Sequence, residues 1–148
     1  RDLELVKSIV GSKVFIISKV ETSNAIKNLK KIAQFSNALL IDRGDLSREV
    51  DIEKIPFIQR MIVSLSKSQN TPVFVATNLL ESMIKSSSPT RAEANDVAST
   101  LLMGASGLVL AAETAIGKYP VESVVMINSI IKQHNRWTPE SSLKDFLS

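Results

Sequence analysis

The chain has no cysteine, which removes disulfides, thiolate nucleophiles and thiolate metal ligands from its possible chemistry. A zero count accords with a reducing compartment, and a cytoplasmic location is expected. Aromatic residues make up only 5%, and the net charge of +3 is spread as lysines and arginines among acids. With neither a stacking platform nor a basic face, nucleic-acid binding is not expected. No apolar run approaches the ~20 residues of a membrane span, and the opening RDLELVKSIV lacks a signal-peptide layout, so no membrane association is expected. There is no Ser/Gly-rich linker and no low-complexity segment. Histidine occurs once, as His134 near Arg136, and fits a helix-end residue better than a base or ligand.

What is present is ordinary for a folded domain: 44% hydrophobic and 22% charged residues in a chain of 148, long enough for one core. The organising stretch is FIISKVET, Phe15 to Thr22. Its short apolar, β-branched run predicts a strand buried on both faces, as in parallel sheets. Helical spacing of apolar residues precedes it from Asp2 to Val10 and follows it from Ala25 to Phe35. A second buried strand is expected at Ala38–Ile41, then a polar loop, DRGDLSREV, and a long helix over Ile52–Ser66 with Pro56 near its first turn. Val73–Thr77 reads as a third strand, and Thr90 to Glu93 as a capping box opening a helix that runs to Gly104. Gly107–Ala112 reads as a fourth strand, and Pro120 starts a last helix, followed by a tail with one short turn. Four alternations of strand and helix predict right-handed βαβ units and a parallel sheet.

Polar residues gather after each strand: Lys19 and Glu21, then Arg43, Gly44 and Asp45, then Thr77 and Asn78, then Glu113 and Thr114. In α/β folds ligands bind at the carboxyl ends of the strands. Lys19 and Glu21, two apart in an extended segment, point the same way. If Glu21 and Asp45 converge, they form a two-carboxylate site for a hard divalent cation such as Mg²⁺. Lys19 beside it offers fixed positive charge for a transferring phosphoryl group or an enolate. Gly44 lets the backbone approach a ligand, so that its own and its neighbour's N–H can bind a carboxylate. Plainer readings stand beside these. Lys19 and Glu21 can be a surface ion pair, Arg43–Asp45 a turn, and Thr77 a helix N-cap.

The motifs then take on a family likeness. IISKVET resembles the pyruvate kinase segment ISKIEN, and LLIDRGDLSREV resembles MVARGDLGVEI of the same family. PVFVATNLLESMIKSSSPTRAEANDVA is similar to PVIxATQMLESMIxxPxPTRAExxDVA, and GLVLAAETAIGKYPVESV to CxMLSGETAKGxYPxEAV. The four motifs stand in family order from Lys13 to Val125. The resemblance implies an α/β fold whose parallel βα repeats form half of a TIM (β/α)8 barrel, about strands five to eight, over residues 1–137, with 138–148 as a tail. It implies phosphoryl transfer from phosphoenolpyruvate to ADP, giving pyruvate and ATP. Lys19 would stabilise phosphoryl and enolate charge, Glu21 and Asp45 would hold Mg²⁺ (or Mn²⁺), and the Gly44 and Asp45 backbone would bind the substrate carboxylate. Thr77 would stand near the substrate methylene, and Arg43 would order the loop and a subunit contact.

Departures accompany the likeness. Ala111 and Ala112 replace Ser and Gly of SGET, Ile116 the Lys of TAKG, Asn78 the Gln of ATQ, and Ser47 the Gly after RGDL. Asp42 replaces the Ala before RGD and adds a carboxylate beside the metal loop. The family's first four strands, with the ligands for a monovalent cation such as K⁺, have no counterpart in this stretch. The expected function is a phosphotransferase module that is incomplete and inactive alone, completed by self-association or by another segment. The alternatives are a non-catalytic assembly or regulatory domain, or a metal-dependent lyase or aldolase on pyruvate-like substrates.

Overall fold

The structure is a computed structural model and describes residues 2–147. Four parallel strands, β1 (Ile17–Val20), β2 (Ala38–Asp42), β3 (Val73–Ala76) and β4 (Gly107–Val109), pair in chain order, each beside the next. Sequential order without a reversal is the arrangement of a barrel segment and not of a doubly wound sheet. Helix α1 (Asp2–Val10) precedes β1, and α2 (Ser23–Lys27) and α3 (Leu29–Phe35) connect β1 to β2. After β2 come α4 (Arg43–Leu46) and α5 (Ile55–Ser68), and α6 (Arg91–Met103) lies between β3 and β4. Beyond β4 follow α7 (Ala112–Ala115), α8 (Pro120–Arg136) and α9 (Lys144–Leu147).

Alternation along the strands decides where the core lies. Val20, Leu39, Ile41, Val73 and Val75 point to one side and pack with Leu29 and Ala33 of α3 and Ile55, Ile62 and Val63 of α5. A second cluster joins Leu79, Leu80 and Met83 to Val97 and Leu101 of α6 and Ile127 of α8. Of the residues facing the other way, Ala38 and Ala76 are buried, Leu40 and Phe74 partly exposed, and Ile17 and Lys19 exposed. Lys19, Leu40, Phe74 and Gly107 lie level across the sheet there. Gly107 makes room for its neighbour, because a Cβ at that position would sit 2.6 Å from the Phe74 ring.

The first strand therefore differs from expectation. Ile17 is 50% exposed and Phe15 63% exposed, so β1 is buried on one face only and is shorter than the apolar run that announces it. The cause is its place at the sheet edge, with the opposite face open. Other boundaries move for local reasons. Asn28 divides the second helical stretch into α2 and α3, and residues Ile52–Lys54 form a 3₁₀ turn before Pro56 opens α5. The polar loop after β2 holds a one-turn helix, α4, capped by Asp42, whose carboxylate accepts from the Asp45 amide. A further 3₁₀ turn at Glu81–Ile84 lies in what reads as polar connection.

The capping box of α6 forms as expected, with Thr90 Oγ1 accepting from the Glu93 amide at 3.2 Å and Glu93 Oε2 accepting from the Thr90 amide at 2.7 Å. Glu93 also accepts from the Ser82 amide (2.7 Å) and hydroxyl (2.5 Å), which ties the 3₁₀ turn to the helix start. Partial burial pushes its carboxyl upward, but the Ser82 and Thr90 donors outweigh that and hold it below the ordinary carboxylate range. Glu93→Gln is expected to lower the urea midpoint by the equivalent of about 1–2 kcal/mol at neutral pH. Because the native pKa is depressed, this contribution is complete above the unfolded carboxyl's range and is lost as pH falls through the native value. Urea midpoints of the original and substituted chains should therefore converge on acidification.

Candidate active site at the carboxyl ends of the strands

Level parallel pairing brings the ends of β1, β2 and β3 to one mouth. Lys19 sits opposite Leu40, two residues before Asp42, and Asp42 sits opposite Ala76, one residue before Thr77. Lys19 Nζ lies 2.6 Å from Glu21 Oε2, 3.1 Å from Asp42 Oδ2 and 3.6 Å from Asp45 Oδ2. Glu21, Asp42 and Asp45 each present a carboxylate oxygen within 4.8 Å of the others, the one such acidic group among the described residues. The Glu21 carboxylate, then Asp42, raises the Lys19 pKa well above the ordinary lysine range, so the amine is a fixed cation. Asp42 moves oppositely. Burial pushes its carboxyl up, but Lys19, the Asp45 amide and the Thr77 hydroxyl together bring it below its usual value.

The plain readings of these residues are each modified. Lys19 and Glu21 do form an ion pair, but two further acids join it. Thr77 is not a helix cap: it and Asn78 hold φ of 69° and 53°, the left-handed region that a β-branched residue rarely enters. The Arg43 side chain, largely but not fully buried, holds that turn. Its Nε and Nη2 donate to the Thr77 carbonyl at 3.1 and 2.8 Å, Nη2 also to the Asn78 carbonyl at 3.0 Å, and Nη1 to Asp96 Oδ2 at 2.7 Å. Thr77 Oγ1 in turn accepts from the Gly44 amide at 2.8 Å, with the Ala76 carbonyl and Asp42 Oδ1 at 2.6 and 3.2 Å as acceptors for its proton.

Two amides expected to face a ligand are engaged within the chain. The Gly44 N–H is taken by Thr77 and the Asp45 N–H by Asp42 Oδ1 at 3.3 Å. A Cβ on Gly44 would meet Asp42 Oδ1 and Thr77 Oγ1 at 3.5 Å, ordinary contact, so local packing does not itself demand glycine. The fourth strand contributes differently from the other three. Glu113 is buried and accepts from the amides of Leu80 (3.1 Å) and Ala111 (2.8 Å), which makes it a brace between two loops. Thr114 donates to the Ala111 carbonyl and closes its own turn. His134 lines an apolar cleft with Leu102, Trp137 and Phe146, away from the acidic group.

Comparison with known proteins now bears on this geometry. The description "Pyruvate kinase, barrel domain" belongs to the family model that matches residues 1–124. The chain belongs to the pyruvate kinase family. It is 43% identical over 123 residues to a pyruvate kinase of Thermotoga maritima, covering 83% of this chain and 26% of that protein. Against a pyruvate kinase of Mycobacterium tuberculosis the identity is 42% over 133 residues, covering 88% of this chain and 28% of the relative. The crystal structure of a pyruvate kinase from Cryptosporidium parvum is similar with a TM-score of 0.90 at 34% identity, covering 93% of this chain and 30% of that one. The chain thus spans less than a third of these pyruvate kinases, and its four-stranded sheet is a portion of the barrel domain.

Asp96 and Glu113 were not legible as loop braces in a pyruvate kinase motif, because their partners are backbone and side-chain groups far along the chain. Arg43 offers a direct test of the loop geometry. Arg43→Lys keeps one charge and loses the planar fork, and is expected to destabilise by about 2 kcal/mol. Amide hydrogen exchange should rise selectively around Thr77 to Leu80, while α5 stays protected; uniform loosening would contradict a local clamp.

Proposed function

We propose that this chain supplies the substrate-facing rim of a pyruvate-kinase-type phosphotransferase, which converts phosphoenolpyruvate and ADP to pyruvate and ATP once the barrel is complete. One observation carries the reading: the Lys19 ammonium and the Glu21 and Asp45 carboxylates meet at a single mouth. The donor set is all oxygen and bears three negative charges against Lys19 and the exposed Arg48, which suits a hard divalent cation. Both Asp42 oxygens already accept bonds from the chain, so Glu21 and Asp45 are the residues that would hold Mg²⁺ or Mn²⁺. Such an ion, when bound, supplies Lewis-acid neutralisation of phosphoryl and enolate oxygens.

The remaining roles belong to the chain itself. Lys19 places permanent positive charge where phosphoryl and enolate oxygens gain negative charge. The Gly44 and Asp45 amides bind the substrate carboxylate by exchanging their present internal acceptors for it. The Thr77 hydroxyl, fixed by the strained turn, stands on the side where the enolate carbon is protonated. A monovalent cation such as K⁺ would take its ligands from the completing segment. Residues 1–137 form the barrel portion, and 138–148 an appended tail. The partly exposed sheet face requires a second copy or another barrel segment. A non-catalytic assembly role is the second reading, favoured by Ala111 and Ala112, which leave the end of β4 without the Ser hydroxyl of the family motif.

Two measurements check these statements. In sedimentation at micromolar concentration the chain should run heavier than its 16.2 kDa mass; a sharp monomer boundary would count against completion by a second copy. A coupled pyruvate assay with phosphoenolpyruvate, ADP and Mg²⁺ should show no turnover by the chain alone. Turnover should appear when residues 1–124 replace the matching segment of the Thermotoga maritima relative. Lys19→Ala in that hybrid should cost at least about 10³-fold in kcat. Activity that survives the substitution would sink the Lys19 role, and an inert hybrid would favour the non-catalytic reading.

A further inference from the structure

Asp42 belongs to no part of the reaction scheme above, yet it touches Lys19, the Asp45 amide and the Thr77 hydroxyl. Its Oδ2 is 3.1 Å from Lys19 Nζ, and its Oδ1 accepts from the Asp45 amide at 3.3 Å and lies 3.2 Å from the Thr77 hydroxyl. Only 14% of the side chain is exposed, against 33% for Glu21 and 43% for Asp45, so it is the innermost acid of the three. It ends β2 and caps α4, so backbone on both sides fixes its position. A methyl group at this position could make none of these three contacts.

The other cations nearby are committed elsewhere. Arg43 turns its guanidinium to the Thr77 and Asn78 carbonyls and to Asp96, and Arg48, 82% exposed, reaches only the outer face of Asp45. Of the cationic side chains, Lys19 is the one set inside the mouth, and it is already paired with Glu21 and Asp42. A cation entering it meets two outer carboxylates whose field the inner one reinforces. The same charge thus acts in opposite directions on the two kinds of ligand.

We propose that Asp42 is a positioning residue that serves as the built-in counter-ion of Lys19, so that this mouth accepts a divalent cation before an anion. Once Glu21 turns to the cation, the Asp42 carboxylate is the nearest partner left on the ammonium, and an anion competes with it. This rests on the phosphotransferase reading, in which Glu21 and Asp45 hold the cation.

The test measures two affinities on the full chain, Mn²⁺ alone by paramagnetic resonance and inorganic phosphate alone by calorimetry. Asp42→Asn keeps the cap acceptor and the size of the side chain and removes only the charge. It is expected to weaken Mn²⁺ about tenfold and to tighten phosphate about tenfold. A residue that merely shapes the loop would weaken both ligands or neither, and either result overturns the proposal. Should the Asn form fail to fold, Asp42→Ser, also a good cap and neutral, carries the same two expectations. Glu21→Gln separates the levels. If it weakens Mn²⁺ while Asp42→Asn does not, the cation site stands and the counter-ion role falls. If the unsubstituted chain binds no Mn²⁺, both fall.

Discussion

Parallel pairing in level register is the constraint on which the mouth depends, because it sets the ends of three strands at one height. Lys19, Asp42 and Thr77 come from separate βα units, and no local interaction would bring them together. A one-residue slip of β2 against β1 would turn Asp42 to the helix side and Ile41 to the open side. That slip is resisted by the core, where Val20, Leu39, Ile41, Val73 and Val75 must all face α3 and α5. Burying each such side chain is worth roughly 1.5–3 kcal/mol, more than an exposed ion pair returns. Hydrophobic burial fixes the register, and the register places the charges.

The second layer of the site is backbone held against its preference. Thr77 and Asn78 both take left-handed φ, at a cost of order 1–3 kcal/mol each. Arg43 offsets that cost with three bonds to their carbonyls and an ion pair to Asp96, and the Thr77 hydroxyl gains the Gly44 amide. The turn and α4 are therefore one unit, locked from both sides. Moving Arg43 would disturb the hydroxyl of Thr77 without touching it.

Sequence periodicity made the strand–helix alternation, the capping box and the identity of three strand-end groups legible, because these depend on neighbours within one turn or one pleat. Lys19, Glu21, Asp45 and Thr77 could be named for the same reason: each follows an apolar run at the position where α/β folds place ligands. What stayed hidden depends on partners far along the chain. The exposure of Ile17 follows from β1 being an edge strand, which its own letters do not encode. Glu113 looks like a fourth strand-end acid and is instead a brace for Leu80 and Ala111. The amides of Gly44 and Asp45 look free in the motif and are paired in the fold.

Those paired amides and the paired ammonium express one physical condition. The Lys19 ammonium, the Gly44 and Asp45 amides and the Thr77 hydroxyl are each satisfied by a group of the chain, chiefly Asp42 and Thr77. The Lys19 side chain is 46% exposed, so its pairing is a preference of charge and not a demand of burial. Binding at such a mouth is an exchange of partners. Its net energy is the difference between two sets of bonds, and small differences of charge decide it. On the counter-ion proposal, the charge at position 42 acts on which ligand enters first.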